Sequence, residues 1–462
     1  MKELFHLITV LTLTFSLSAQ GQYDKCYFGS AGIDFGGWFP TALTDSEMET
    51  SESAVSMCSP QGDLLFYSNG GSSPTVPGVA GAVWNANHDI MENGLLGDSS
   101  GCISSFQGAV AFPFTGTSTG TSTKTGSGMY YIFMRDCAES SFSPPNYNSG
   151  LTYCEIDMSA NSGLGKVVSK NNVVIPFQSG GTVKTNHEPV TAILHDNNQD
   201  WWLFSYNNDS LYSLQITQNG ISQYRSYFKG KGSLVFSPDR KLVAAGHELY
   251  SFNAFTGDLS HLSSLPNGRY AFSPDGQKLY RVDQELIQYD VSSSNILSSA
   301  VTIASGIDCN QLYLAPDGRI YLYKYGVTYL PGYIDCPNAT GINCGFSLSS
   351  IDLNGRNAKR GFTNIPANYL FKESYDCNLS NEELQHSSDQ IRLYPNPAKE
   401  ELNIILQGSE YPIRCSVHSL KGKQLFHQTI HHKQTTIDIS KWSPGIYYFR
   451  SDQTIKKLII QP

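Results

Sequence analysis

Two segments satisfy the G-x-S-x-G pattern of serine hydrolases, Gly97-Asp98-Ser99-Ser100-Gly101 and Gly116-Thr117-Ser118-Thr119-Gly120. That chemistry needs a strained strand-to-helix elbow that exposes the serine. The first match precedes a β-like stretch and the second lies in low-complexity sequence, so both read as chance matches in a Ser/Gly-rich chain. His187-Glu188 and His247-Glu248 lack the second histidine, four residues after the first, that a helical zinc site requires. Asp196-Asn197-Asn198-Gln199-Asp200 alternates oxygen ligands but lacks the glycine and distal glutamate of a calcium loop, and reads as a polar hairpin turn. No carboxylate pair for glycoside hydrolysis stands out among 40 Asp/Glu. The sequence therefore nominates no catalytic residue, no metal ligand and no cofactor, and leans away from an enzyme.

Aromatic runs offer a second kind of chemistry. Trp201-Trp202, Tyr447-Tyr448 and the series Tyr321, Tyr323, Tyr325 could stack on sugar rings, with Trp201 and Trp202 the candidate ligand platform. The competing account is that aromatics at period two fill the core of a strand-rich domain, and it is the better one.

The elements that would carry these residues follow from composition. The chain has 462 residues, is 15% charged and 12% aromatic, and holds 41 Gly and 27 Tyr. Its apolar share excludes general disorder, and no apolar run reaches transmembrane length. Residues 391–462 hold ten Lys/Arg against five Asp/Glu, so of the net charge of -9 the preceding part carries -14. An acidic body without a basic stripe argues against nucleic-acid binding.

Lys2 followed by apolar residues from Leu4 to Leu17 and then Ser18-Ala19-Gln20 reads as an export signal, residues 1–19, cleaved between Ala19 and Gln20. The mature chain then has no transmembrane segment, and its ten cysteines meet an oxidising compartment. Cys336 with Cys344, and Cys137 with Cys154, could each close a short loop, but pairing cannot be deduced from one sequence. Cys415 stands alone in the tail, so at least one thiol is left over or intermolecular.

The body repeats one device: Ser237-Pro238-Asp239-Arg240, Ser273-Pro274-Asp275-Gly276 and Ala315-Pro316-Asp317-Gly318, with Ser59-Pro60-Gln61-Gly62 a looser copy. Proline presets φ, aspartate caps through its side chain and glycine takes the positive-φ position, so each predicts a tight turn between strands. The prolines at 238, 274 and 316 are spaced like propeller blades, four short strands in about 40 residues. Residues 26–376 then accommodate about seven blades, with insertions at 71–81 and 115–128. Residues 377–390 read as a linker, and 391–462 return to short alternating strands that predict a small β-sandwich. The fold class is all-β, a β-propeller followed by an immunoglobulin-like sandwich.

Two resemblances sharpen this reading. The tail resembles the type A C-terminal sorting domain of the type IX secretion system of Bacteroidota. The likeness is carried by Tyr394-Pro395-Asn396-Pro397, Leu420-Lys421-Gly422-Lys423, Ile437 to Ser440 with Trp442, Gly445-Ile446-Tyr447 and Lys456-Lys457. It implies that the type IX machinery is a partner and that the folded cargo crosses the outer membrane, to be released or attached to the surface. The body resembles the propeller-like N-terminal region of gliding-motility-associated surface proteins. Carriers include Tyr27-Phe28-Gly29, Gly62 to Tyr67, Val83-Trp84-Asn85, His88 to Met91, Tyr130 to Phe133, His195 with Asp200-Trp201-Trp202, Ala315 to Gly318 and Pro337-Asn338. It departs at the 71–81 insertion, around Cys102 where the family has Ser-Thr-Gln, and at Gly361-Phe362-Thr363 where Gly-Leu-Pro is usual. The expectation is a secreted or surface-attached module that binds a glycan or protein, with a propeller-based lyase or hydrolase and a structural part of the gliding apparatus as alternatives.

Overall fold

The computed structural model describes residues 21–37, 40–73, 80–97, 100–113, 128–137, 150–175, 188–207, 210–229, 232–372, 391–406, 413–419, 424–451 and 455–461. Ala19, Gln20, Ser99, Ser118, His187 and Gly422 lie outside them. Two compact units divide the chain, a body and a tail.

The body is a succession of antiparallel sheets. The first has three strands, Lys25–Phe28, Ala31–Asp34 and Thr41–Leu43. Next come Val55–Cys58 to Ile90–Leu95 and Ala109–Pro113 to Lys166–Ile175, two four-stranded sets joined at their outer edges by one parallel pairing, Lys166 with Glu92. Four more four-stranded sheets begin with Val190–Leu194, Leu234–Phe236, Arg269–Phe272 and Gln311–Leu314. The first strands pack in sequence from Lys25–Phe28 round to Gln311–Leu314. Phe28 and Phe35 close the circuit against Tyr323 and Tyr321, with ring centroids 5.9 and 5.4 Å apart. This is a β-propeller, as the blade-length repeat leads one to expect.

The repeated turns join the first and second strands of their sheets. Ser237 and Ser273 each donate a hydroxyl to the aspartate two residues on, both at 2.6 Å, and Gly276 and Gly318 take φ of 75° and 89°. Ser237 N donates to Leu242 O and Ser273 N to Lys278 O, so each turn also fixes the hairpin register. Alternation between the turns places Tyr321 and Tyr323 in the core.

Cys137 pairs with Cys102, Cα atoms 5.5 Å apart, and not with Cys154. Cys154 is buried mid-strand opposite Ile132, where its thiol packs as a small apolar group. The loop spacing considered at the sequence level misled because Cys102, 35 residues upstream, is brought in by a different strand connection. Cys336 and Cys344 are neighbours, Cys336 N donating to Cys344 O at 2.9 Å, and both are thiols in this structure.

After the seventh sheet the chain turns inward. Residues 361–372 form a strap across the propeller axis. Phe362 is buried among Phe28, Tyr313 and Tyr323, with ring centroids 4.5, 5.0 and 6.0 Å away. Thr363 donates its hydroxyl to Tyr27 O at 2.7 Å. The Asn364 amide donates to both Ala109 O and Val190 O at 2.8 Å, while its backbone N–H donates to Ala54 O. Tyr369 packs on Tyr23 and Trp201, and Lys372 bonds Pro274 O through its N–H and Pro316 O through its ammonium. One short segment thus ties together strands and turns from Tyr27 to Pro316.

The tail unit is two sheets. Ile391–Tyr394, Glu401–Leu406 and Gln434–Asp438 make one; Gln424–Ile430, Ile413–Ser419, Gly445–Ser451 and Ile455–Ile460 make the other. Leu402, Ile404, Val417, Phe449 and Leu458 fill the space between, with Cys415 buried among them.

Asn364→Ala should orphan two buried carbonyls and cost about 1–3 kcal/mol. Urea unfolding of the full chain measures this, and a loss below about 0.5 kcal/mol would contradict the clamp. A second expectation concerns Asp24, at the start of the first sheet, whose carboxyl is pushed up to about 6 by burial first and then by Asp34, against Lys25 and Lys372. The folded state keeps this proton while the unfolded chain has released it, so stability from this group declines as pH rises from about 4 to about 6. Asp24→Asn should therefore raise the melting temperature at pH 7.5 and leave it nearly unchanged at pH 4; equal shifts at both would refute the assignment.

Candidate functional site

The strap is fastened to the first strands of the first four sheets and borders a cleft on its other side. Its walls are the first strands of four sheets, contributing Thr191, Ser233 to Phe236, Arg269 to Phe272 and Gln311 to Leu314. Phe106 and Gln107 come from the loop before Ala109–Pro113, and Phe362 to Ile365 from the strap. Water centres can occupy about 90 Å³ of it, room for several ordered waters or one small organic group.

The turn register explains which residues reach this cleft. Ser237, Ser273 and Ala315 open their turns, and each N–H bonds the carbonyl that closes the hairpin. His195 plays the same part, its N–H donating to Asp200 O. Counting four residues back from each gives Thr191, Ser233, Arg269 and Gln311, all four of which line the cleft. Equivalent points of four repeats thus present a hydroxyl, a hydroxyl, a guanidinium and an amide to one space.

Most of the polar groups there are already committed. Gln107 accepts from Leu234 N at 3.0 Å and donates to Leu234 O at 3.3 Å. Gln311 donates to the Tyr325 hydroxyl at 2.7 Å and accepts from the Tyr313 hydroxyl at 3.0 Å, and both Asn364 amide hydrogens are spent. Burial pushes the Tyr313 hydroxyl well above its ordinary range, so it stays protonated. Glu188, just outside the cleft, is buried with its carboxylate accepting from Phe106 N at 3.0 Å.

Arg269 differs from these. It is exposed at the rim, it is the one Lys, Arg, Asp, Glu or His of the lining, and it makes no ion pair or hydrogen bond among the described residues. Its guanidinium lies 5.6 Å from the centre of the Phe106 ring, a contact that orients the fork without using its N–H donors. Arg319, by contrast, bonds both Asp317 and Asp335 at 3.1 and 2.6 Å.

The residues singled out in the sequence lie elsewhere. Trp201 and Trp202 are only 2% and 1% exposed and form no platform. Trp201 stacks on Phe112 at 4.6 Å, while Trp202 faces the opposite layer and donates its indole N–H to Ala254 O at 2.9 Å. Consecutive strand residues point to opposite faces, and here both faces are blade core. Asp196 to Asp200 is a polar turn in which Asn197 accepts from the N–H groups of Gln199 and Asp200. His247 leads into an exposed pair in which the Glu248 carboxylate bonds His261 at 2.7 Å. Among the described residues no three His, Cys, Asp or Glu side chains converge in a metal-binding arrangement. Arg269, Gln107, Asn364 and Phe362 were not nominated from sequence; aligning the turns and reading four residues back would have found Arg269.

In the tail, Asn396 accepts from Ile459 N at 2.8 Å and donates to Lys457 O at 2.7 Å, fastening the last strand to the entry motif. Tyr447 donates to Ser443 O at 2.6 Å and packs on Trp442. Pro395 and Pro397 follow cis peptide bonds, Gly445 opens its strand, Lys456 is half-buried, and Lys457 is exposed.

Comparison with protein families matches residues 392–461 to the secretion system C-terminal sorting domain. The tail is thus a type IX sorting domain, and it directs export across the outer membrane to the cell surface or the medium. No curated protein sequence matches the chain. Among solved structures the chain is similar to PorZ, a surface component of the type IX secretion system of Porphyromonas gingivalis, at 11% identity and TM-score 0.29, covering 95% of this chain and 74% of that one. It is also similar to the Cps50 (Swd1) propeller domain of Myceliophteria thermophila, at 11% and 0.37, covering 65% and 93%. A functionally unknown protein from Desulfotomaculum acetoxidans gives 10% and 0.35, covering 75% and 91%.

Trp202→Ala should cost about 3–5 kcal/mol, as for a fully buried tryptophan, whereas Arg269→Ala should change stability by less than about 0.5 kcal/mol. Thermal and urea melts of the two variants check the contrast; equal losses would mean that Arg269 serves the fold and not the cleft.

Proposed function

We propose that this protein is an exported binding module, carried out by its sorting tail and presenting the axial cleft of its propeller to a glycan or protein partner at the cell surface or in the medium. The observation that carries this reading is the cleft's inventory. General acid–base catalysis needs titratable groups poised near the working pH. The described lining offers one guanidinium and tyrosines, of which Tyr313 is held protonated. Such a lining supports binding over turnover. The apolar walls contributed by Phe106, Tyr313 and Phe362 give a partner surface to bury, and committed amides hold the shape fixed before it arrives.

The route out of the cell rests on the tail, whose described strands pair among themselves in two sheets. Deleting 391–462 should leave the protein in the periplasm; undiminished appearance in the medium or on the cell surface, followed by fractionation and immunoblotting, would refute dependence on the tail. A glycan-array and surface-extract screen of the full chain, with product analysis on each hit, tests the module itself. Binding with products unchanged supports the reading, and turnover replaces it with a propeller-based hydrolase or lyase.

A further inference from the structure

We infer that the axial cleft recognises a carboxylate carried on an apolar body, with Arg269 as the residue that reads the charge. This deepens the binding-module reading and rests on it. The argument is one of what remains unspent. The amides of Gln107, Gln311 and Asn364 are committed to backbone or tyrosine partners at 2.7 to 3.3 Å, so they have less left to offer a ligand. Thr191 and Ser233 are largely buried wall residues whose hydroxyls make no hydrogen bond among the described residues. Arg269 keeps a planar fork of donors that matches a carboxylate two-to-two.

The surroundings favour that ligand in two further ways. The body carries -14, yet none of its carboxylates pairs with this one guanidinium among the described residues, so its charge is available to an incoming anion. The walls beside it are Phe106, Phe236, Tyr313 and Phe362, which reward burial of apolar surface. A neutral sugar needs many hydroxyl partners and finds two; an acid with an aromatic or aliphatic body needs one charged fork and an apolar wall, and finds both. Phe106 also holds the guanidinium from one face, which leaves its edge, where the donors lie, turned to the ligand. The carboxylate could belong to a free small acid or to the C-terminus of a peptide ending in an apolar residue; the chemistry at Arg269 is the same for both.

Isothermal titration of the full chain with 3-phenylpropionate and with 3-phenylpropanamide isolates the charge on a constant body. The acid should bind about ten- to a hundredfold tighter than the amide, the range of a charge-assisted bond pair, and the advantage should shrink with added salt. Arg269→Gln should abolish that preference and Arg269→Lys should keep part of it. A hexapeptide ending in free phenylalanine, against its C-terminal amide, separates the two sources: tighter binding of the peptide acid than of phenylpropionate assigns the site to a chain terminus, and the reverse to a small acid. Equal binding of acid and amide, untouched by Arg269→Gln, overturns the charge assignment while leaving the cleft a binding site. Absence of binding by either body overturns both, and Arg269-dependent binding of galacturonate in preference to phenylpropionate overturns the apolar-body requirement in favour of an acidic glycan.

Discussion

A ring of sheets has an inner edge. Each first strand pairs with its second strand on one side, and on the other it turns a row of backbone N–H and C=O groups toward the axis, where burial without partners costs about 1–3 kcal/mol apiece. Everything distinctive about this body follows from how that edge is satisfied. Along the first four sheets the strap does it, with Asn364 serving Ala109 O and Val190 O, Thr363 serving Tyr27 O and the Asn364 N–H serving Ala54 O. Across the axis Gln107 serves both backbone groups of Leu234. The strap therefore closes part of the channel for a structural reason, and the cleft is the part it does not reach.

The architecture was legible because its determinants are local. A Ser-Pro-Asp-Gly turn encodes its hydroxyl-to-carboxylate bond and its positive φ within four residues, and period-two aromatics encode a shared buried face, as Tyr321 and Tyr323 show. The sorting tail was legible for the same reason, several short motifs in fixed order. The strap and the disulfide were not, because they depend on which distant segments meet. Phe362, Thr363 and Asn364 find partners from Tyr27 to Val190, and Cys102 finds Cys137 across a connection that no spacing announces.

The failure of Trp201-Trp202 as a platform has a similar cause. Adjacent aromatics in a strand cannot both face a ligand, since one must point to each side of the sheet. In a blade packed between two others both sides are core, so the pair was committed to packing by its position in the second strand, next to the Asp196 to Asp200 turn.

The repeat also explains how such a scaffold can vary its ligand without disturbing its fold. The turn residues and the buried aromatics must be kept, because each satisfies hydrogen bonds or fills volume. The position four before the turn is freer: Thr191, Ser233, Arg269 and Gln311 occupy it in successive sheets, all polar but with no common size or charge. A site tolerant of a hydroxyl, a guanidinium and an amide is one the fold leaves unspecified, and its side chains converge on a single space. On the binding-module reading, the guanidinium among them is the group a ligand would meet, held by its contact with the face of Phe106.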